Sequence, residues 1–271
     1  MELIPLANPF NAPVYHADTV DSTMEISRVL ALRGEPHGTV IVADFQEAGR
    51  GRIRGRSWHM EKGSNLPFTI LLRCAGIAAI PPALPLRTGL AVALAIEDFV
   101  PALAGKVMIK WPNDVLILKT GSAEKTQAAK VAGILVEANE GNAHIGIGVN
   151  VAQKQFPDFL RDKAISISLA AAQEIADEKR FVLLEKILAR LHAEIEAAGS
   201  RADDDLDWRS RIEERLYKKG EPVSFAEGAA DSNKTINGIL TGIGPGGELL
   251  ITPDGETQAR SFITGELLIF R

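Results

Sequence analysis

The spacing of apolar positions changes several times along the chain, and each change marks an element. Val14–His16 is a short strand candidate. Ile26, Val29, Leu30 and Ala31 then recur at helical spacing. Ser22 and Glu25 ahead of them fit a capping box, and Gly34 is a natural stop. Thr39–Phe45 and Leu66–Arg73 read as strands. Leu86–Phe99, apolar with small residues throughout, reads as a well-buried helix. Val107–Trp111 and Val115–Leu118 flank a Pro112-Asn113-Asp114 turn, because proline forces Trp111 to be extended and Asn/Asp favour turns. Lys119–Ala129 is polar and predicts a mobile loop. Val131–Ala138 and His144–Val151 read as strands joined by a turn over Asn139–Asn142.

Further on, Phe181, Leu184, Ile187, Leu188, Leu191 and Ile195 share one helical face, and Ala202–Asp207 is acidic and linker-like. After Leu216 the texture changes. Pro222–Phe225, Thr235–Thr241, Leu249–Ile251 and Leu267–Phe270 alternate with Gly/Pro/Asp turns, which predicts a small all-β barrel docked on a larger domain. In the larger domain, strands adjoin by hairpins more often than by helical crossovers. The expected fold class is therefore α+β with a mixed or antiparallel sheet, divided at 1–216 and 217–271.

Composition narrows the function. Hydrophobic residues make up 46%, enough for a real core, and the net charge of -5 argues against a general nucleic-acid binder. Any cationic function must come from a local cluster. One cysteine, Cys74, excludes a disulfide framework or a cysteine zinc site within one chain and suits a reducing cytoplasm, the expected location. The five histidines are scattered, so no protein-held metal is expected. Met1-Glu-Leu-Ile-Pro5 lacks signal-peptide character, and no apolar run reads as long and uninterrupted enough to span a membrane.

Three motifs carry chemistry. Gly49–Trp58 holds four arginines and three glycines in ten positions. Glycines permit close backbone approach, and arginines supply forked donors for phosphates and carboxylates. A site joining a carboxylate to the α-phosphate of ATP must bring two anions together, and this loop has the required charge. It is not a P-loop, since no Gly-Lys-Ser/Thr opens a helix after it. The same composition also suits a solvated basic loop or an RNA-contacting segment. Lys110-Trp111-Pro112-Asn113-Asp114 puts Lys110 and Trp111 on opposite strand faces and a carboxylate at a rigid turn; it also fits an ordinary hairpin with a buried Trp. Lys130-Val-Ala-Gly133-Ile-Leu135 opens an apolar strand with an ammonium that could face a phosphate, or that simply ends a strand. The strand His144–Asn150 carries Gly146 and Gly148 on one face, which must then lie close to another backbone or a ligand.

Taken in order, Asp21-Ser22-Thr23, Gln46-x-x-Gly49-Arg50-Gly51-Arg52, Lys110–Asp114 and Lys130-x-x-Gly133-Ile-Leu resemble the biotin protein ligase family over about Val14–Val151, and weakly in the C-terminal β-region. That resemblance implies an enzyme that makes biotinyl-5'-AMP from biotin and Mg²⁺-bound ATP and then transfers biotin to a lysine of a biotin carboxyl carrier domain. It implies a catalytic domain like that of class II tRNA synthetases and an SH3-like C-terminal barrel. Biotin is expected at Ser22, Thr23, Gln46, Arg50, Gly51, Arg52, Lys130 and Gly133, and ATP at Arg56, Trp58, Lys110, Asn113, Asp114 and Asn150. Lys130, Arg52 and Asp114 are the implied catalytic groups, with Mg²⁺ carried by the nucleotide rather than by a protein metal site.

The chain departs from the pattern in three places. Met24 stands where the family usually has Asn. The Arg/Gly loop is one residue longer, with Ile53 and Arg54 between Arg52 and Gly55. Sixteen positions separate Asp114 from Lys130, matching the polar insertion. The first motif lies close to Met1, so no DNA-binding domain and no DNA partner are expected; the chain is expected to act as a monomer or homodimer. A lipoate or octanoate ligase is the neighbouring alternative, though its Arg-Arg-x-Ser-Gly-Gly-Gly signature is missing; a non-catalytic RNA- or ligand-binding protein is the other.

Overall fold

The structure, a computed structural model, describes residues 1–53, 55–119, 127–139, 141–199, 207–228 and 234–268. The readings of Arg54, of residues 120–126 in the polar insertion, of 202–206 in the acidic stretch and of 269–270 in the last apolar run lie outside these. At the edges of the masked stretches, the insertion is shorter than expected. Lys119 already ends one strand and 127–129 begin the next, while Asp207 opens a helix.

Eight strands form a mixed sheet in the order β1-β2-β3-β4-β8-β7-β6-β5. They are β1 (Glu2–Leu3), β2 (Val14–Val20), β3 (Thr39–Gln46), β4 (Leu66–Arg73), β5 (Val107–Lys110), β6 (Asp114–Lys119), β7 (Gln127–Asn139) and β8 (Asn142–Val149). Only β2 and β3 are parallel, joined through helix α1 (Thr23–Leu32); the other pairs are antiparallel. The hairpin-rich order expected from the sequence is the one found.

Alternation gives the sheet two unlike faces. Ile145, Ile147 and Val149 of β8 join the core that helices α2 (Leu84–Phe99) and α4 (Lys179–Gly199) cover, and Ile167 of the short helix α3 (Ile167–Ala171) joins it too. Leu183, Leu184, Ile187, Leu188 and Leu191 of α4 are fully buried there. Each large side chain removed from water contributes roughly 1.5–3 kcal/mol, so this face supplies much of the stability. The opposite face carries His144, Gly146 and Gly148, with α1 packed on it. The run Ile77–Phe99 is, contrary to the sequence reading, apolar and long enough to cross a membrane by length and composition, but half of its most apolar window is buried inside this fold. Its helical part, Leu84–Phe99, is the core helix α2.

A second, antiparallel sheet runs β12-β11-β10-β9-β13, from β9 (Pro222–Glu227), β10 (Thr235–Ile243), β11 (Leu249–Pro253), β12 (Arg260–Phe262) and β13 (Gly265–Leu267). The last strand thus begins ahead of the apolar run Leu267–Phe270. Its inner residues Phe225, Leu240, Ile243, Leu249 and Ile251 share one core with Leu86 and Leu90 of α2, with Trp111, and with Trp208 and Ile212 of α5 (Asp207–Glu213). The Trp111 ring lies 5.9 Å from that of Phe225, and its Nε1 donates to the Gly247 carbonyl at 3.0 Å. The two sheets are therefore packed together at the residue that follows Lys110. As alternation predicts, Trp111 and Lys110 go opposite ways.

Candidate active site

The Arg/Gly segment is not shapeless. Gly51 N donates to Arg56 O at 2.8 Å, Trp58 N donates to Gly49 O at 2.9 Å, and Arg50 bridges Ser57 in antiparallel fashion. It is a short hairpin, with Gly55 at φ +85°. Arg50 and Gly51 thus stand opposite Ser57 and Arg56. Each described arginine is held by an acceptor elsewhere. Arg50 pairs with Glu25, Arg52 Nη2 donates to the Gly265 carbonyl at 2.9 Å, and Arg56 bridges both oxygens of Glu266 at 2.9 and 3.0 Å. Two of these three tethers come from β13, far along the chain.

The start of α1 differs from its sequence reading. Ser22 is the N-cap but its hydroxyl makes no cap bond, so the capping box does not form. Glu25 instead pairs with Arg28 and Arg50, which hold its carboxyl below the usual range. Val29 is exposed, and Ser27 is buried in its place against His144 Nδ1 at 2.7 Å. Gln46 Oε1 accepts from Thr23 N at 2.8 Å and from Thr23 Oγ1 at 3.0 Å, which fixes the first turn of α1 to the end of β3.

Ser22, Thr23, Met24, Gln46, Arg50, Gly51, Arg52, Trp58, Lys130 and Gly133 line a slot laid on the Gly146–Gly148 face of the sheet. Of the residues expected at biotin, all eight lie here. The glycines make room for side chains. A Cβ on Gly148 would meet Trp58 Cε2 at 2.6 Å, and one on Gly146 would meet Met24 Sδ at 2.7 Å. With Trp58 lying on this floor, the slot has a volume of about 60 Å³. That is well below the few hundred Å³ of an ordinary ligand pocket, because the indole occupies the floor. Gly148→Val is accordingly expected to raise the KM for the acid about 100-fold with a smaller change in kcat, since bulk on the slot floor excludes ligand rather than altering chemistry. Exchange kinetics at varied acid concentration would read this, and an unchanged KM would place the acid elsewhere.

Lys130 reaches the slot through an irregularity. It lies three residues before Gly133, so plain alternation would put the two on opposite faces. A β-bulge in the β6–β7 pairing, where Val115 faces Ala132 but Leu116 faces Lys130, turns Lys130 onto the face of Gly133. A Cβ on Gly133 would lie 2.9 Å from Lys130 Nζ. Lys130 Nζ is 2.6 Å from Asp114 Oδ1 and 5.6 Å from the centre of the Trp58 ring. At the corner before β6, the Trp111–Pro112 peptide is cis. Asn113 closes it by donating Nδ2 to Ile134 O at 2.7 Å.

Asp114 sits between two ammonium groups, with Lys110 Nζ at 3.6 Å on its other side. Lys110 in turn lies 3.9 Å from Glu266. Burial would raise the Asp114 carboxyl, but Lys130, Lys110 and Arg52 outweigh it and hold it below the usual carboxylate value. For Glu266 burial is likewise outweighed, here by Arg56, Lys110 and Arg52. Lys110 goes the other way: burial lowers it despite both carboxylates. Because both carboxyls titrate lower folded than unfolded, the unfolded chain takes up protons first as pH falls. The stability they lend is complete above about pH 5 and is lost progressively below it. Tm measured from pH 7 to 3 is expected to fall less steeply in Asp114→Asn/Glu266→Gln than in the wild type; parallel curves would show these groups do not govern acid stability.

A larger cavity of about 550 Å³ adjoins the slot, within the range of a nucleotide site. Arg56, Trp58, Lys110, Asn113, Asp114 and Asn150 line it, so all six residues expected at ATP meet here. Asn150 Oδ1 is buried without a hydrogen-bond partner among the described residues. Gly51, Arg52, Trp58, Asn113 and Lys130 belong to both cavities. Sequence reasoning missed Glu266 and the wall formed by His59, Phe156, Phe159 and Lys163. His59 and Phe159 are edge-to-face at 5.1 Å. The segment carrying the two phenylalanines returns beside β7, where Lys130 N donates to Lys163 O at 2.8 Å and Ile165 N to Lys130 O at 2.9 Å. Its only sequence signal was the short apolar run Phe156–Leu160, which has no helical or strand period. Among the described residues, no group of three or more His, Cys, Asp or Glu is placed to hold a metal.

Known proteins resemble this chain in sequence and in fold. The model of the biotin/lipoate A/B protein ligase family matches residues 17–152. A bifunctional ligase/repressor BirA of Bacillus subtilis is 39% identical over 169 residues, which is 60% of this chain but 48% of that protein. The chain thus spans about half the length of the Bacillus relatives it matches. A biotin--[acetyl-CoA-carboxylase] ligase of Paracoccus denitrificans is 31% identical over 222 residues, 78% of this chain and 82% of that one. Among solved structures, the biotin protein ligase from Aquifex aeolicus in complex with biotin and ATP superposes with a TM-score of 0.74 at 27% identity, over 94% of this chain and 97% of that one. The match spans the slot, the hairpin and both lysine motifs, and the chain belongs to the biotin/lipoate A/B protein ligase family.

Proposed function

We propose that the protein is a biotin–[biotin carboxyl carrier protein] ligase. The observation that carries this reading is the junction of two cavities at Arg52, Lys130 and Trp58. One is a narrow slot with polar groups at its inner end; the other is large enough for a nucleotide. A carboxylate in the slot and an α-phosphate in the larger cavity would meet beside fixed positive charge.

In the first step a biotin carboxylate oxygen attacks the α-phosphorus of Mg·ATP, forming the acyl-phosphate bond of biotinyl-5'-AMP and breaking the bond to pyrophosphate. Lys130 and Arg52 neutralise the charge gathered on the phosphate. Preorganised donors of this kind are worth several kcal/mol in a water-poor site. Mg²⁺ reaches the site with the phosphates of ATP. Asp114, engaged by two lysines, keeps Lys130 at the junction and is also the base best placed to take the proton of an incoming amine. In the second step the ε-amine of a carrier lysine attacks the acyl carbon, forming the amide and releasing AMP. The His59–Phe159 wall suits a planar base, and the Asn150 amide offers it a buried acceptor. The hairpin orders over the intermediate and excludes water.

On this reading residues 1–216 form a catalytic unit like that of class II tRNA synthetases and 217–271 an SH3-like unit. The carrier docks at the junction as substrate, DNA is not a partner, and the chain works in the cytoplasm as a monomer or homodimer. The test is transfer. Incubating the chain with biotin, Mg·ATP and a biotin carboxyl carrier domain is expected to add one biotinyl mass to the carrier, and none when the carrier lysine is replaced by arginine. An unmodified carrier would overturn the proposal.

A further inference from the structure

The inner end of the slot has two chemically different sides. On one, Ser22 has a hydroxyl that no cap bond engages, and Gln46 keeps its amide donors because Thr23 takes only its Oε1. Thr69 Oγ1, behind them, holds Thr23 Oγ1 at 2.8 Å. On the other side stand Met24, 5% exposed, and Leu135, whose backbone faces Gly146 across the β7–β8 pair. The Met24 Sδ and Cγ lie 2.7 and 3.0 Å from where a Gly146 Cβ would be. The thioether therefore fills the space that this glycine leaves open. Gly146 and Gly148 are two residues apart on one strand face, so the Met24 end lies roughly 7 Å from the Lys130–Gly133 end. An acid whose carboxylate meets Lys130 brings its distal group against Met24 after a short aliphatic arm.

We infer that Met24 is a specificity-determining residue that packs on the apolar edge of the acid's terminal ring, while Ser22, Thr23 and Gln46 hydrogen-bond its polar edge. This rests on the acid-activating reading above. The slot then takes acids ending in a ring with one hydrogen-bonding edge and one apolar edge. A plain aliphatic chain would leave the polar side unsatisfied. Methionine suits the apolar side because its unbranched thioether adapts to ring shape and is polarizable.

Two acids separate the edges. Biotin has both; desthiobiotin keeps the ureido ring but lacks the sulfur-containing one. In ATP–pyrophosphate exchange by the full chain, Met24→Ala is expected to raise the KM for biotin about tenfold, and that for desthiobiotin less than about twofold, with kcat for both within about twofold. Met24→Gln, similar in length but polar at its tip, is expected to give the same split and serves where the alanine variant does not fold. Equal losses with both acids, or no loss with biotin, would overturn the role of Met24 while leaving acid activation standing. No exchange by the wild type with any acid would overturn acid activation itself, and this proposal with it.

Discussion

Lys130→Ala is expected to slow biotin-dependent ATP–pyrophosphate exchange by about 10³-fold while leaving the fold intact. Lys130 Nζ stands where the slot and the larger cavity meet, 2.6 Å from Asp114. Removing it takes away the ammonium on which the acid carboxylate and the α-phosphate converge. The fold survives because Asp114 keeps Lys110 at 3.6 Å and the site remains partly open to water. Exchange rates together with thermal unfolding check both halves. A rate within tenfold of wild type would remove Lys130 from the chemistry, and a collapse of Tm would make its role structural.

Asp114→Ala is expected to act on stability as well as on rate. Asp114 separates two ammonium groups, and Lys110 is 3% exposed. Without the carboxylate the two lysines repel each other in a poorly solvated corner. Breaking a buried charge arrangement in this way costs about 3 kcal/mol or more. In a chain of this size that is a Tm drop of roughly 6–12 °C. Adding Lys110→Met in the Asp114→Ala background is expected to recover part of the loss, because the charge left behind is then gone. A Tm unchanged by Asp114→Ala would show that the triad carries no net stability.

Much of the site was legible because its parts are local. Lys110–Asp114 is one strand end and one turn, and the two glycines of β8 announce a face that something must approach. What was not legible depends on pairing between distant segments. The capping box at Ser22 and Glu25 is a local preference that lost to tertiary partners, Gln46 for Thr23 and Arg28 and Arg50 for Glu25. Lys130 faces Gly133 only because β7 bulges against β6, and no single-strand pattern reports a bulge. Glu266 reads as an ordinary carboxylate at the edge of a small β-domain; only the docking of that domain brings it to Arg56 and Lys110. The hairpin bonds that set Arg50 opposite Ser57 likewise join residues no single-strand pattern pairs.

Trp58, expected at the nucleotide, walls the larger cavity and also the slot, where it rests on Gly148. The indole on the slot floor sits at the base of the hairpin that carries Arg50 and Arg52.

Activation of a carboxylate at the junction of the two cavities is tested most directly by mixing the purified chain with Mg·ATP and labelled pyrophosphate, with and without biotin. Label is expected to enter ATP only when biotin is present; ATP left unlabelled with biotin at saturating concentration would show that no carboxylate is activated there.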